Sequence, residues 1–143
     1  MTAEFRRRLP AGIVALIFGA VFVFAGFVKA RDPGLFLVHI RGFRILPDPF
    51  AAWLALGLPW LEIFCGLAVI AGCCRRGGLL LLNLCLIAFL AALLAAWARG
   101  LDIECGCFGS TFKPGVRVEL ALDLALLAAG LWLLLRHGPE TAA

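Results

Sequence analysis

The sequence predicts an all-α integral membrane protein, a four-helix transmembrane bundle with a short interfacial amphipathic helix in its first outer loop. Composition is the first reason: 64% of the 143 residues are hydrophobic, 15% are charged, and mean hydropathy is +1.04. A water-soluble chain of this length cannot bury so much apolar surface. Periodicity and length supply the second. Apolar stretches at about residues 10–29, 50–73, 78–97 and 119–136 approach or exceed the roughly 20 residues that cross a bilayer as helix. Little remains between them for a water-soluble domain, so the chain reads as one membrane domain over residues 1–143.

The first helix follows Arg6, Arg7 and Arg8 and ends near Val28-Lys29-Ala30, which also fits the outline of a cleaved export signal. Its apolar run is long for a signal core. Gly12, Gly19 and Gly26 recur every seventh position, a small-residue stripe suited to close helix packing, so a retained helix is expected. The loop after it alternates Leu35, Phe36, Val38, Ile40, Phe43, Ile45 and Leu46 with His39, Arg41 and Arg44. Asp32 and Pro33 suit the N-cap and first position of an amphipathic helix that Gly42 weakens and Pro47 stops. Such a helix can roof the bundle or simply pack at the interface.

The second helix carries Glu62 near its middle, with Pro59 a turn before it, where a missing N–H frees a carbonyl. A charge inside hydrocarbon needs a partner. Lys29 or Arg31 from the end of the first helix can supply one, or Glu62 stays neutral and hydrogen-bonds across the bundle. The third helix contributes Asn83, read as an interhelical hydrogen-bonding residue. On the fourth, Glu119 and Asp123 are four apart and share a face. Glu62, Asp123, Lys29 and Glu119 are therefore the candidate polar interior, either handling protons and orienting a small partner or holding helices in register. Trp53, Trp60, Trp97 and Trp132 include interface anchors, and Trp60 beside Pro59 can alternatively line a cavity.

Orientation rests on where cations sit. Six Lys and Arg fall on the side of the termini and seven on the other by sequence position, so the bulk count does not decide. Three arginines abut the first helix, Arg75 and Arg76 fill the short turn, and acidic residues dilute the cations of the long loops. The expectation is a bacterial inner membrane protein with cytoplasmic termini and both long loops in the periplasm. The basic isoelectric point then has a topological origin, and no nucleic-acid partner is implied. The bilayer is the first partner.

The second long loop contains Cys105-Gly106-Cys107-Phe108-Gly109. On the periplasmic side disulfides form and persist. Exchange chemistry needs an accessible thiolate and a second thiol to resolve the mixed disulfide, and Cys105 and Cys107 supply both. Gly106 relaxes the small ring, while Phe108 and Gly109 shape the hairpin. A bridge across one residue departs from ordinary disulfide geometry and gives its oxidation away readily. Asp102 and Glu104 oppose the thiolate, and Arg99, Lys113 and Arg117 favour it. A static staple, or two unpaired thiols, is the bland alternative. Two thiolates also suit Cu(I), but the single Met and the separated His39 and His137 complete no ligand set, so no metal is assigned. Cys65 and Cys85 fall at similar depth and serve best as small packing residues, and Cys73-Cys74 lies at the opposite end of the bundle.

Gly26-Phe27-Val28-Lys29 with Asp32-Pro33 behind it, Leu58-Pro59-Trp60-Leu61-Glu62, and Cys105-Gly106-Cys107-Phe108-Gly109 before a last helix resemble the MauE branch of the DoxX-like membrane proteins. The resemblance covers about residues 10–135, and the Cys-Gly-Cys-Phe-Gly element is its specific part. It implies a role in maturation of methylamine dehydrogenase, an exported enzyme with a disulfide-dense small subunit. More generally it implies thiol redox support for an exported, thiol-containing client or a thioredoxin-like protein. A thiol–disulfide oxidoreductase is one form of that expectation; a noncatalytic assembly scaffold and a small-solute or metal transporter built around Glu62 are the others. Quinone-linked thiol oxidases on small four-helix bundles suggest a quinone as cofactor by analogy alone. Client, electron acceptor and oligomeric state are not written in the sequence.

Overall fold

The computed structural model describes residues 2–101 and 115–136. Five helices make up the fold: α1 (Thr2–Arg31), α2 (Pro33–Gly42), α3 (Phe50–Ala71), α4 (Arg75–Ala98) and α5 (Val116–Arg136). No strand occurs among the described residues. Four of the helices are long and apolar enough to span a bilayer, over Arg8–Arg31, Phe50–Ala71, Arg75–Ala98 and Val116–Arg136. The expected four-helix architecture is therefore present, and the chain is a multi-pass membrane protein. Its outer surface fits that solvent: Ile17, Phe24, Trp53, Leu56, Phe64, Leu84 and Leu135 are all exposed, a distribution that only lipid makes favourable.

Three helix starts fall earlier than the sequence expectation by three residues or more, α5 beginning at Val116 rather than at residue 119. α1 begins at Thr2 rather than near residue 10 and carries Pro10 inside it. Hydropathy marks the apolar part of a helix, and helical backbone runs on into the arginine-rich turns before it. Pro10 lies past the first turn of α1, so the carbonyl four residues before it loses its intrahelical donor. α4 likewise starts at Arg75 rather than at residue 78, which shortens the turn to Gly72, Cys73 and Cys74. Gly72 closes α3 in the left-handed region, at φ 77°, a conformation glycine adopts without a Cβ clash. The Arg75 Nε donates to the Val69 carbonyl at 3.0 Å, satisfying one of the carbonyls left open where α3 ends.

The glycine stripe is selective. A Cβ on Gly19 would lie 2.7 Å from the Gly66 carbonyl oxygen, and one on Gly26 would lie 2.6 Å from the Pro59 carbonyl oxygen. Gly66 presents the reciprocal contact, 2.8 Å from the Gly19 oxygen. α1 and α3 thus touch backbone to backbone at two levels. Gly12 has nothing within 4 Å and takes no part. The core beside this seam is built from Phe18, Phe22, Val69, Leu79, Leu82, Leu86 and Leu133. Cys65 belongs to it as a buried free thiol, and Cys85 is a half-buried free thiol.

α2 is the amphipathic helix of the first loop. Asp32 caps it, its Oδ1 accepting from the Leu35 N–H at 2.9 Å, with Pro33 at the first position. Phe36 and Ile40 pack against Ala51, Ala55, Leu58 and Phe89. α2 is therefore fastened to α3, roofing the end of the bundle. Asp32→Ala should cost about 1 kcal/mol, read as faster amide exchange confined to the first turn of α2.

Candidate functional site

Gly26 fixes the geometry of the site. Because α1 meets α3 at that level with no side chain between, Lys29, one turn further on, lies alongside Glu62. Lys29 Nζ donates to Glu62 Oε1 at 2.8 Å and Oε2 at 2.9 Å. Both residues are buried, at 3% and 1% exposure. Glu62 lies roughly 18 Å along α3 from Phe50 at 1.5 Å per residue, well inside the span. The ammonium is also flanked by the rings of Phe36 on α2, 5.2 Å to the centroid, and Phe89 on α4, 4.9 Å. Three helices besides its own thus converge on one cation, which receives charge pairing from one carboxylate and quadrupole attraction from two rings.

Of the two counter-charges the sequence offered, the structure selects Lys29; Arg31 is exposed, its guanidinium 6.0 Å from the Phe27 ring centroid. Both oxygens of the Glu62 carboxyl group accept from the Lys29 ammonium across the α1–α3 seam. Glu119 and Asp123 are buried on the same face of α5, as their spacing requires. Asp123 lies within electrostatic reach of both Lys29 and Glu62, and Cys85 on α4 feels the same two charges. Asp123 Oδ2 is buried with no hydrogen-bond partner among the described residues.

Asn83 sits deeper in the bundle. Its Nδ2 donates to the Leu79 carbonyl at 2.7 Å, and its Oδ1 is buried and unpartnered. Gly130 of α5 lies directly against the amide, with no room for a methyl group. Trp60 does not line a cavity; it is exposed on the outer face, 6.5 Å from the Phe64 ring. Phe89 is the site residue that sequence reasoning missed, since nothing distinguishes it from the other apolar residues of α4. Phe36 was legible only as one apolar position of a short amphipathic helix.

Cys105, Gly106, Cys107, Phe108 and Gly109 lie outside the described residues. The described chain enters that segment from α4 and leaves it into α5. Around its attachment points Phe43, Leu93 and Ala96 pack with Leu101, Val116 and Leu120. The ends of α4 and α5 that bracket the cysteine pair therefore belong to the same end of the bundle as α2. Among the described residues no group of three or more His, Cys, Asp or Glu is placed to hold a metal ion.

These features define a multi-pass helical membrane protein organised around a buried, aromatic-flanked Lys–Glu pair. The family model described as methylamine utilisation protein MauE matches residues 7–136, and the chain belongs to the MauE family. The methylamine utilisation protein MauE of Methylorubrum extorquens is 33% identical over 115 residues, covering 77% of this chain and 62% of that protein. Its counterpart from Paracoccus denitrificans is 32% identical over 110 residues, covering 76% and 59%. The chain thus spans about three fifths of the length of these curated relatives. No solved structure matches it.

Proposed function

We propose that this protein is a membrane component of thiol–disulfide redox support for exported proteins, working in methylamine utilisation through a periplasm-facing Cys105-Cys107 pair. The observation that carries the reading is a coincidence at one end of the bundle. The segment bearing Cys105 and Cys107 is attached where Leu93, Ala96, Leu101, Val116 and Leu120 pack with Phe43, the end that α2 also roofs, with the Lys29–Glu62 pair in the interior beneath it. Thiol exchange at a membrane surface needs a rigid support, and a bundle held by a buried ion pair in contact with four helices provides one. The names of the relatives, methylamine utilisation protein MauE, supply the metabolic setting, and the inner membrane with cytoplasmic termini follows from the arginines beside α1 and α4. Kinship with the wider DoxX-like proteins belongs to the same reading.

In this reading Cys105 and Cys107 are the exchanging thiols, with Gly106, Phe108 and Gly109 setting the hairpin. The partner is an exported thiol-containing client or a thioredoxin-like protein. Lys29, Glu62, Asp123 and Glu119 hold the platform and its charge. Transport through an open Glu62 is less well supported, because that carboxylate is closed by Lys29 at 2.8 Å.

The test is differential alkylation of the purified protein across thiol redox buffers, with every cysteine mapped by mass, beside client maturation in cells carrying Cys105→Ser and Cys107→Ser. A Cys105-Cys107 disulfide that titrates reversibly, with maturation lost in the double variant, is the expected result. Full maturation without either thiol would overturn the redox reading and leave a scaffold.

A further inference from the structure

Within the polar cluster one group is left unsatisfied. Lys29 and Glu62 neutralise one another at 2.8 and 2.9 Å, and Glu119, one turn towards the start of α5, is itself partnered. Asp123 differs. It is 6% exposed, and its Oδ2 is buried without a hydrogen-bond partner among the described residues. The charged groups within electrostatic reach of it are Lys29 from α1 and Glu62 from α3, with Cys85 of α4 in the field of the same pair. Because these two charges are held in contact, they act on a third group as a dipole, whose field is weaker than that of either charge alone.

An unpaired carboxylate at such a place bears a large desolvation penalty, and the ordinary outcome is that the group takes up a proton instead. We propose that Asp123 is the proton-holding site of this bundle, a neutral carboxylic acid whose Oδ2–H is the exchangeable bond. The step it performs is balanced and needs no oxidant. The Oδ2–H bond breaks, the proton passes to a water molecule entering from the aqueous phase, and the electron pair stays on Asp123 as a carboxylate. The Lys29 ammonium is then shared between Glu62 and Asp123, which makes the transient anion tolerable inside hydrocarbon. The reverse step reloads the site. This role does not depend on the thiol reading, although thiol exchange, in which one thiol loses a proton and a leaving thiolate gains one, is chemistry such a site can serve.

The experiment is infrared spectroscopy of the full chain in lipid nanodiscs, with hydrogen–deuterium exchange and carbodiimide labelling mapped by mass. The expected result is a protonated-carboxyl C=O band that shifts on deuteration, fades at high pH, is absent in Asp123→Asn and persists in Glu62→Gln. Asp123→Glu should restore a band at a shifted frequency, which separates loss of the proton from loss of the fold. Carbodiimide should modify Asp123 and spare Glu62. A band unchanged in Asp123→Asn, or one lost only in Glu62→Gln, would overturn the proposal. The redox titration of Cys105 and Cys107 on the same samples reports separately on the thiol reading, so either can fail alone.

Discussion

Lys29→Met should destabilise the bundle by about 3–5 kcal/mol, because it leaves the Glu62 carboxylate buried at mid-span without its counter-charge. Glu62→Met should cost a similar amount by stranding the ammonium. Combining the two should recover most of the loss, since a well-packed apolar pair of similar volume removes both desolvation penalties at once. The measurement is a double-mutant cycle on unfolding in mixed micelles. Near-additive losses would mean that the two residues act independently and that the 2.8 Å contact contributes little. The cycle also separates structure from chemistry: a double variant that folds but fails in client maturation would assign the pair a role beyond clamping.

The second large effect is expected at Gly26. Overpacking a tight interface costs about 1–3 kcal/mol when flexible side chains can yield. Here the obstacle is the Pro59 carbonyl oxygen, 2.6 Å from where the new Cβ would stand, with Glu62 Cβ at 3.2 Å. Backbone cannot rotate away as a side chain can, so α1 must separate from α3. Gly26→Leu should therefore exceed that range and expose Lys29 as well. Gly12→Leu, at a position with nothing within 4 Å, should be nearly silent. Thermal unfolding of both variants, with differential labelling of Lys29 by an amine reagent, checks the pair. Equal sensitivity at Gly12 and Gly26 would refute the account of the helix seam.

Much of this architecture was legible in the sequence because lipid imposes a simple rule, long apolar runs and little else. The cap at Asp32 was readable for a local reason, an oxygen side chain followed by Pro33. The pairing of Lys29 with Glu62 was readable only as one of two options. Lys29 and Arg31 are equally near in sequence, and the choice between them depends on the rotation of α1, which Gly19 and Gly26 set through tertiary contact. The Phe89 contact was not readable at all, since an aromatic ring beside a cation leaves no periodic trace. The helix starts at Thr2 and Arg75 escaped for the opposite reason: polar residues continue a helix without changing the hydropathy that marks its span.

The Asn83–Gly130 contact has a mechanical consequence. Sliding α5 along α4 by one turn would bring Leu126 or Leu134 against the Asn83 amide, where even a methyl group does not fit. The contact therefore acts as a detent that resists translation of α5, because the amide is itself held by the Leu79 carbonyl. A displacement reaching α5 through its first residues is more easily delivered as tilt or rotation about that point. Glu119 and Asp123, on the far side of the detent from Arg136, would swing while the distal end stayed in place.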